Sequence, residues 1–184
     1  VYYLAKEARK HRVIVLQVGE GADELFCGYP IYKYEVRLHA RLSLARLLPA
    51  GIRKITISLL STLTGKELSV VKEIMLSSNL RGVPRRNVIG FGEHEKRGYL
   101  SKEICGLGFD TNKLLLEWSE KVEKKNKNLN FKDMMLQKIR TIEFKNRLPE
   151  LLLMRVDKFT MAAPIEARVP FLDHELVEYA MQIP

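Results

Sequence analysis

Several features are scarce in this chain of 184 residues, and each scarcity narrows what the protein can be. Its two cysteines, Cys27 and Cys105, lie far apart and form no C-x-x-C pair, so we expect reduced thiols rather than a disulfide framework. No apolar run approaches the length of a membrane span, and the N-terminus lacks the pattern of a signal peptide. Zinc-finger spacing and basic motifs interleaved with aromatic residues are also missing.

The net charge of +9 therefore needs a source other than a nucleic-acid motif. The lysine-rich tract 121–127 has Glu120 beside it and Glu123 within it, as on a solvated helix face. We expect neither nucleic acid nor a membrane among the partners, whereas a polyanionic substrate would account for part of the positive charge.

One segment has a convincing strand pattern. Val13–Val18 is apolar and rich in β-branched residues, which predicts a strand buried on both faces in a parallel sheet covered by helices. A parallel strand cannot stand alone, so its neighbours must lie outside these residues or in segments with a weak signal. The sequence thus predicts an α/β parent fold, of which this chain is a mostly α-helical part with one clear strand.

Apolar residues at helical spacing occupy much of the remaining sequence. They predict helices over Tyr32–Leu48, Thr111–Lys124, Phe131–Asn146, Leu148–Ala163 and His174–Gln182. In the fourth of these we expect a buried stripe formed by Leu148, Leu152, Val156 and Phe159. Asp173 is well placed to cap the last helix.

An acidic, glycine-flanked loop follows the predicted strand, at the end where parallel sheets bind ligands. In Gly19-Glu20-Gly21-Ala22-Asp23-Glu24, the glycines permit close backbone approach, and N–H groups at the next helix start favour an anion. Three carboxylates would share this place with a polyphosphate only if Mg²⁺ lay between them. The alternative is an ordinary turn in which Asp23 and Glu24 complement a helix dipole.

A second charged cluster lies near the C-terminus. Residues 165–173 contain Glu166, Arg168 and a rigid Pro-Phe corner, with Arg155, Asp157 and Lys158 upstream. Such groups are costly to bury unless they are paired or bind a ligand. Either a ligand site or an internal ion pair, Glu166 with Arg168 or Arg155 with Asp157, would explain them.

Together the two stretches resemble the asparagine synthetases. Residues 18–29, V-G-E-G-A-D-E-L-F-C-G-Y, are similar to the family's S-G-E-G-A-D-E-x-F-x-G-Y motif. Residues 155–173, R-V-D-K-F-T-M-A-A-P-I-E-A-R-V-P-F-L-D, resemble its D-x-x-x-M-x-x-x-x-E-x-R-x-P-F-L-D motif. The resemblance implies an adenine nucleotide alpha-hydrolase-like fold with a parallel sheet and helices.

The resemblance also implies a reaction. Such a cytoplasmic ligase uses ATP and Mg²⁺ to convert aspartate into β-aspartyl-AMP, and ammonia from glutamine then forms the amide. Positions matched to the motifs imply that Val18, Gly19 and Gly21 contact the nucleotide and that Asp23 is a metal ligand. Glu20 would support formation of the intermediate or take a proton from ammonia. Arg168 and Glu166 would organise the phosphate or acyl end of the substrate.

The chain departs from the family pattern in several places. Val18 replaces the usual serine, and Cys27 stands where glycine is common. The pyrophosphate loop S-G-G-x-D-S is absent from residues 1–184, as are a glutaminase domain and the segment with the catalytic lysine. We therefore expect a partial synthase domain that is inactive alone, has the rest of its own polypeptide as its partner and can belong to an oligomer.

Two other kinds of function are open for this chain. Related amidotransferases, β-lactam synthetases and peptide-cyclising enzymes use the same ATP half-reaction on other carboxylates, and the acidic loop does not separate them. A different class is a non-catalytic helical module whose basic faces bind an acidic partner.

Overall fold

Helices make up most of the described chain, with two short strands between them. The computed structural model describes residues 1–45, 48–49, 51–52, 55–56, 58–59, 83–84, 96 and 98–183. In chain order the bounded elements are α1 (Tyr2–Lys10), β1 (Val15–Gln17), α2 (Ala22–Phe26), α3 (Pro30–Ala45), α4 (Lys102–Gly106), α5 (Thr111–Lys125), α6 (Phe131–Lys145), a π-helical segment (Leu148–Leu153), α7 (Met154–Met161), β2 (Glu166–Arg168), a 3-10 turn (Pro170–Leu172) and α8 (His174–Ala180).

The chain divides into two units, one made of Val1–Pro30 with Ile139–Pro184 and the other of Ile31–Lys138. A mostly helical chain with a small parallel sheet agrees with the predicted α/β class. Within the described ranges, no helix is long and apolar enough to span a bilayer.

The first unit contains a two-stranded parallel sheet formed by β1 and β2. Backbone hydrogen bonds flank the pairing on both sides. The N–H of Glu166 donates to the carbonyl of Ile14 at 2.9 Å, and the N–H of Val18 donates to the carbonyl of Arg168 at 2.9 Å. This register joins the start of the acidic loop to the segment that precedes the Pro-Phe corner.

The sheet corrects two predictions. The strand is shorter than residues 13–18, and it is not buried on both faces, because Ile14 is 62% exposed and Gln17 is exposed as well. A second strand, β2, also forms. Its sequence Glu-Ala-Arg has charged ends and no apolar run, so its extended shape depends on pairing with β1 and leaves little local signal.

A small apolar core lies beside this sheet. Ala5 of α1, Ala163 and Ile165 are buried together, and Leu16 of β1 packs against them with Tyr2. The helix α1 packs on α7, which places both helices next to the strand pair.

The helix predicted over 148–163 contains a π-helical start, which shifts its buried face. Leu148, Leu152 and Val156 are buried as expected, but Phe159 is 46% exposed and Thr160 takes its place in the interior. A π-helical turn holds more residues than an α-turn, so the buried stripe advances by four residues at each step. The Thr160 hydroxyl is satisfied locally by donating to the Val156 carbonyl at 3.0 Å.

In the second unit, an ion pair between a buried lysine and a half-exposed glutamate links two of the predicted helices. Lys138 of α6 has a side chain only 3% exposed, and its ammonium group bonds the carboxylate of Glu123 on α5. On α3, buried His39 and Glu35 form a pair one turn apart, with a nitrogen–oxygen distance of 3.2 Å.

The cap of α8 was predicted correctly and gives a stability test. The Asp173 carboxylate accepts hydrogen bonds from the N–H groups of Glu175 at 3.0 Å and Leu176 at 3.4 Å.

We expect Asp173→Ala to destabilise α8 by about 1 kcal/mol, because these donors lose their acceptor. Hydrogen–deuterium exchange of residues 174–180, in the gene product that contains this chain, should be about fivefold faster. Asp173→Asn is the control, since asparagine caps equally well, and equal protection in both variants would contradict the prediction.

Candidate functional site

The loop between β1 and α2 owes its shape to Gly21. This residue has φ of 91°, in the left-handed region, and precedes the first residue of α2. A β-carbon added there would lie 2.3 Å from Cδ2 of Leu172, so both the backbone and the packing require glycine. Gly19 is different, because a β-carbon added at Gly19 would meet nothing within 4 Å. Gly19 therefore tolerates a side chain in this structure, whereas Gly21 does not.

The structure brings together the two charged stretches that the sequence singled out. Besides the hydrogen bond from Val18 to Arg168, the aromatic rings of Phe26 and Phe171 meet edge to face, with their centroids 6.5 Å apart. The packing of Leu172 against Gly21 is a third contact between them. The acidic loop and the Pro-Phe corner therefore form one continuous surface.

The three acids of the loop have three different environments. Glu20 lies 3.7 Å from a guanidinium nitrogen of Arg155, and its side chain is 24% exposed. Glu24 is fully buried, with a carboxylate oxygen 3.5 Å from Arg147. Asp23 is exposed, and no ion pair to it occurs among the described residues. The predicted crowding of three carboxylates is thus relieved largely by two arginines.

These surroundings also bear on the alternative in which the acids serve only a helix dipole. The helix α2 has five residues, so its dipole is small. Burial of Glu24 against Arg147 exceeds what complementing such a dipole requires. The dipole alternative therefore does not account for Glu24, whereas Asp23, exposed in the first turn of α2, fits it.

The position of the Asp23 carboxylate depends on Gly28. A β-carbon at Gly28 would lie 2.1 Å from Oδ1 of Asp23, so a side chain there would force the carboxylate to move from its present position. The Gly28 N–H also donates to the Asp23 carbonyl at 2.9 Å. The backbone of Gly28 therefore lies directly against the exposed carboxylate of Asp23.

Cys27 ends α2 in the left-handed region, with φ of 56°. This backbone conformation favours glycine, which explains the glycine that is common at the matching position of the resembled motif. Burial raises the pKa of the Cys27 thiol, and the nearby charge of Arg140 opposes that rise only in part. The thiol is consequently neutral near pH 7 and behaves as a packing group.

The ion pair predicted between Glu166 and Arg168 is present. Arg168 Nε donates to the Glu166 carboxylate at 2.7 Å, and the two side chains are 57% and 62% exposed. Both groups are therefore accessible from solvent, and an exposed pair of this kind adds little to the free energy of folding. Arg155, the other arginine considered, faces Glu20.

A buried charge cluster behind the loop was missed by the sequence analysis. Arg147 donates to Glu24 at 3.5 Å and to Glu143 at 3.3 Å, and its guanidinium carbon lies 4.7 Å from the centre of the Tyr29 ring. The side chains of Glu24 and Glu143 are each 1% exposed. The spacing of Glu143 and Arg147, four residues apart, was the available signal, but it equally describes a surface pair.

Titration in this cluster follows from its burial and charges. Burial, and then a hydrogen bond with Glu24, raise the pKa of Tyr29, so the phenol is neutral and can donate to that carboxylate. Burial alone would lower the pKa of Arg147, but the charge of Glu143 and further polar contacts raise it on balance. Arg147 is therefore a permanent cation beneath the loop.

A groove opens beside Arg155. Its volume is about 760 Å³, and it is lined by Val1, Tyr2, Tyr3, Arg155, Phe159 and Ala162. This volume lies within the range of sites for small molecules, about 300–1,000 Å³.

The donor set at the loop fits a magnesium ion that phosphates hold in part. No cluster of three or more histidine, cysteine, aspartate or glutamate side chains able to bind a metal occurs in the part of the chain that the structure describes. Mg²⁺ commonly uses one or two carboxylates together with substrate phosphates and water. The exposed carboxylate of Asp23 suits that mode.

Comparison with known proteins assigns the chain to a family. The family model for asparagine synthase matches residues 1–184, so the chain belongs to the asparagine synthase family. This confirms the resemblance seen in the two motifs.

Curated relatives cover the entire chain at moderate identity. Asparagine synthetase [glutamine-hydrolyzing] 1 of Bacillus subtilis is 30% identical over an aligned length of 189 residues, which covers all of this chain and 27% of that protein. Putative asparagine synthetases [glutamine-hydrolyzing] of Mycobacterium bovis and Mycobacterium tuberculosis are 30% identical over 184 residues, 26% of their length. The chain thus spans about a quarter of these relatives, and no solved structure matches it significantly.

The contrast between the two loop glycines gives a stability prediction. Gly21→Ala should lower the free energy of unfolding by about 2 kcal/mol or more, because the alanine is strained at positive φ and its methyl group displaces Leu172. Gly19→Ala, the matched control, should change it by less than about 0.5 kcal/mol. Thermal unfolding of the gene product measures both. Equal melting temperatures for the two variants would show that Gly21 does not constrain the loop.

Proposed function

We propose that this chain is the part of an asparagine synthetase that carries the acidic loop and the Pro-Phe corner of an ATP-dependent, amide-forming active site. The observation that supports this most directly is the parallel pairing of β1 with β2, which makes the two motif segments neighbours. Family membership over residues 1–184 supports the reaction class. An adenine nucleotide alpha-hydrolase-like parent fold and a cytoplasmic enzyme belong to the same proposal.

The proposed chemistry has two steps. The side-chain carboxylate of aspartate attacks the α-phosphorus of ATP, so that β-aspartyl-AMP forms and pyrophosphate leaves. Ammonia from glutamine then attacks the acyl carbon, and AMP leaves as the amide forms. Both steps develop negative charge on phosphate oxygens, which positively charged and hydrogen-bonding groups stabilise.

Each proposed role rests on the surroundings of its residue. Gly19 is exposed and has room around its α-carbon, which suits close approach of a phosphate group to the backbone. The N–H of Val18 donates to Arg168, so we assign any ligand contact of Val18 to its carbonyl. We assign Gly21 to the shape of the loop in addition to the nucleotide site.

The charged residues take the remaining roles. Glu20 is partly buried beside Arg155, and we propose that it supports adenylate formation or accepts a proton from ammonia. Arg168 and Glu166 are exposed next to the loop and would orient the phosphate or acyl end of the substrate. Asp23 would hold the magnesium ion, which when bound neutralises charge on the departing pyrophosphate.

The identity of the acyl substrate is the finer part of the proposal. The curated relatives reported above are named asparagine synthetases, which favours aspartate over the carboxylates used by related amidotransferases or peptide-cyclising enzymes. The non-catalytic helical module is not favoured, since the family model spans the whole chain. We further propose that the glutaminase activity and the pyrophosphate loop belong to other parts of the polypeptide.

The experiment is aspartate-dependent exchange of labelled pyrophosphate into ATP by the gene product that contains this chain. The unaltered protein should catalyse exchange, and Asp23→Asn should reduce it about a hundredfold or more, because a neutral amide binds Mg²⁺ poorly. Glu7→Gln is the matched control, as Glu7 is an exposed acid of α1 paired with Lys10. Full activity in Asp23→Asn would remove Asp23 from the metal site. Failure of the unaltered protein to exchange would refute the proposed function.

Gly19→Ala tests close approach of the nucleotide. Since its methyl group meets nothing within 4 Å, we expect a normal melting temperature. If a phosphate passes over this backbone, the methyl group should raise the ATP concentration for half-maximal exchange about tenfold or more, a loss of about 1.4 kcal/mol in binding. Gly106→Ala in α4 is the control, because its methyl group is equally unhindered. Unchanged ATP dependence in Gly19→Ala would place the phosphates elsewhere.

A further inference from the structure

Arg147 connects the acidic loop to a distant part of the first unit. It follows the end of α6 at the start of the π-helical segment, 123 residues after Glu24. Its guanidinium group donates to Glu24 at 3.5 Å and to Glu143 at 3.3 Å. Glu24 immediately follows Asp23 in α2, so anything that fixes Glu24 also limits the movement of Asp23.

The chemistry of the contact favours arginine over a simple positive charge. The guanidinium carbon lies over the Tyr29 ring, 4.7 Å from its centre, while the terminal nitrogen Nη1 reaches both carboxylates. A planar guanidinium group can lie over a ring and donate from its edge in fixed directions, whereas the compact ammonium group of lysine has neither the plane nor the fixed fork of donors. Tyr29 directly follows Gly28, which lies against the Asp23 carboxylate. Arg147 therefore contacts this segment both at Glu24, before the turn at Gly28, and at Tyr29, after it.

We propose that Arg147 is a positioning residue, which fixes α2 and the turn after it so that the Asp23 carboxylate is held ready for a magnesium–phosphate ligand. This inference rests on the proposed function for the identity of that ligand. Arg147 itself is 20% exposed and lies behind the loop, so it acts through Glu24 and Tyr29. Residues that orient metal ligands typically affect metal affinity by about 10–100-fold.

Two variants separate positioning from simple charge balance. Arg147→Lys keeps the positive charge but loses the planar, forked geometry. Arg147→Met combined with Glu143→Gln removes one positive and one negative charge, so the buried cluster keeps its net charge. Arg9→Lys, at an exposed position of α1, is the matched control. All are made in the gene product that contains this chain.

Two measurements are needed, one without ligand and one with it. Hydrogen–deuterium exchange of residues 19–28 should become faster in both Arg147 variants, while β1 and α7 keep their protection. The Mg²⁺ concentration for half-maximal pyrophosphate exchange should rise about tenfold or more. Arg9→Lys should change neither quantity.

Three outcomes would overturn the inference. The first is wild-type protection of residues 19–28 together with wild-type Mg²⁺ dependence in both Arg147 variants. The second is faster exchange across the whole first unit in both, which would make Arg147 a general stabiliser. The third is a loop that loosens with no change in Mg²⁺ dependence. If the unaltered protein lacks pyrophosphate exchange, the proposed function fails, while the ligand-free measurement still decides whether Arg147 positions the loop.

Discussion

The parallel pairing of β1 with β2 is the constraint on which the candidate site depends. Both strands have only three residues, β2 has little strand signal of its own, and about 150 residues separate them. Once they pair, the chain beyond β1 must turn at Gly21 against Leu172, and Phe26 must meet Phe171. A shift in register would break these contacts together, because each depends on the same strand alignment. The site is therefore a product of long-range pairing rather than of either motif alone.

The sequence was most informative where local physics decides the structure. Helix spacing predicted a helix over Thr111–Lys124, and the structure has Thr111–Lys125. The cap at Asp173 follows from a carboxylate placed before a helix start. Local reasoning was weaker for β2, whose extended shape is imposed by its neighbour. It was wrong for Phe159, since a π-helical turn shifts the helix phase in a way that an ideal period does not include.

The candidate site shows the same division. Glycine chemistry indicated that the loop is unusual, and the structure gives separate reasons for Gly21 and Gly28, which are a left-handed backbone and room for a carboxylate. No comparable sign of Arg147 was visible in the sequence, because two of its partners, Glu24 and Tyr29, are far from it along the chain. A residue that joins distant segments is recognised only after the fold has brought them together.

The electrostatics of the loop changes the argument for magnesium. From sequence alone, a polyphosphate would share this place with three neighbouring acids only if a cation lay between them. In the structure Arg147 compensates Glu24 and Arg155 faces Glu20, so two acids have protein counterions. Asp23 is exposed beside Gly28, and no ion pair to it occurs in the described ranges. One exposed carboxylate binds hydrated Mg²⁺ weakly by itself, but a polyphosphate adds oxygen ligands and raises the affinity. A site built in this way would take up metal together with nucleotide, which couples metal binding to substrate binding.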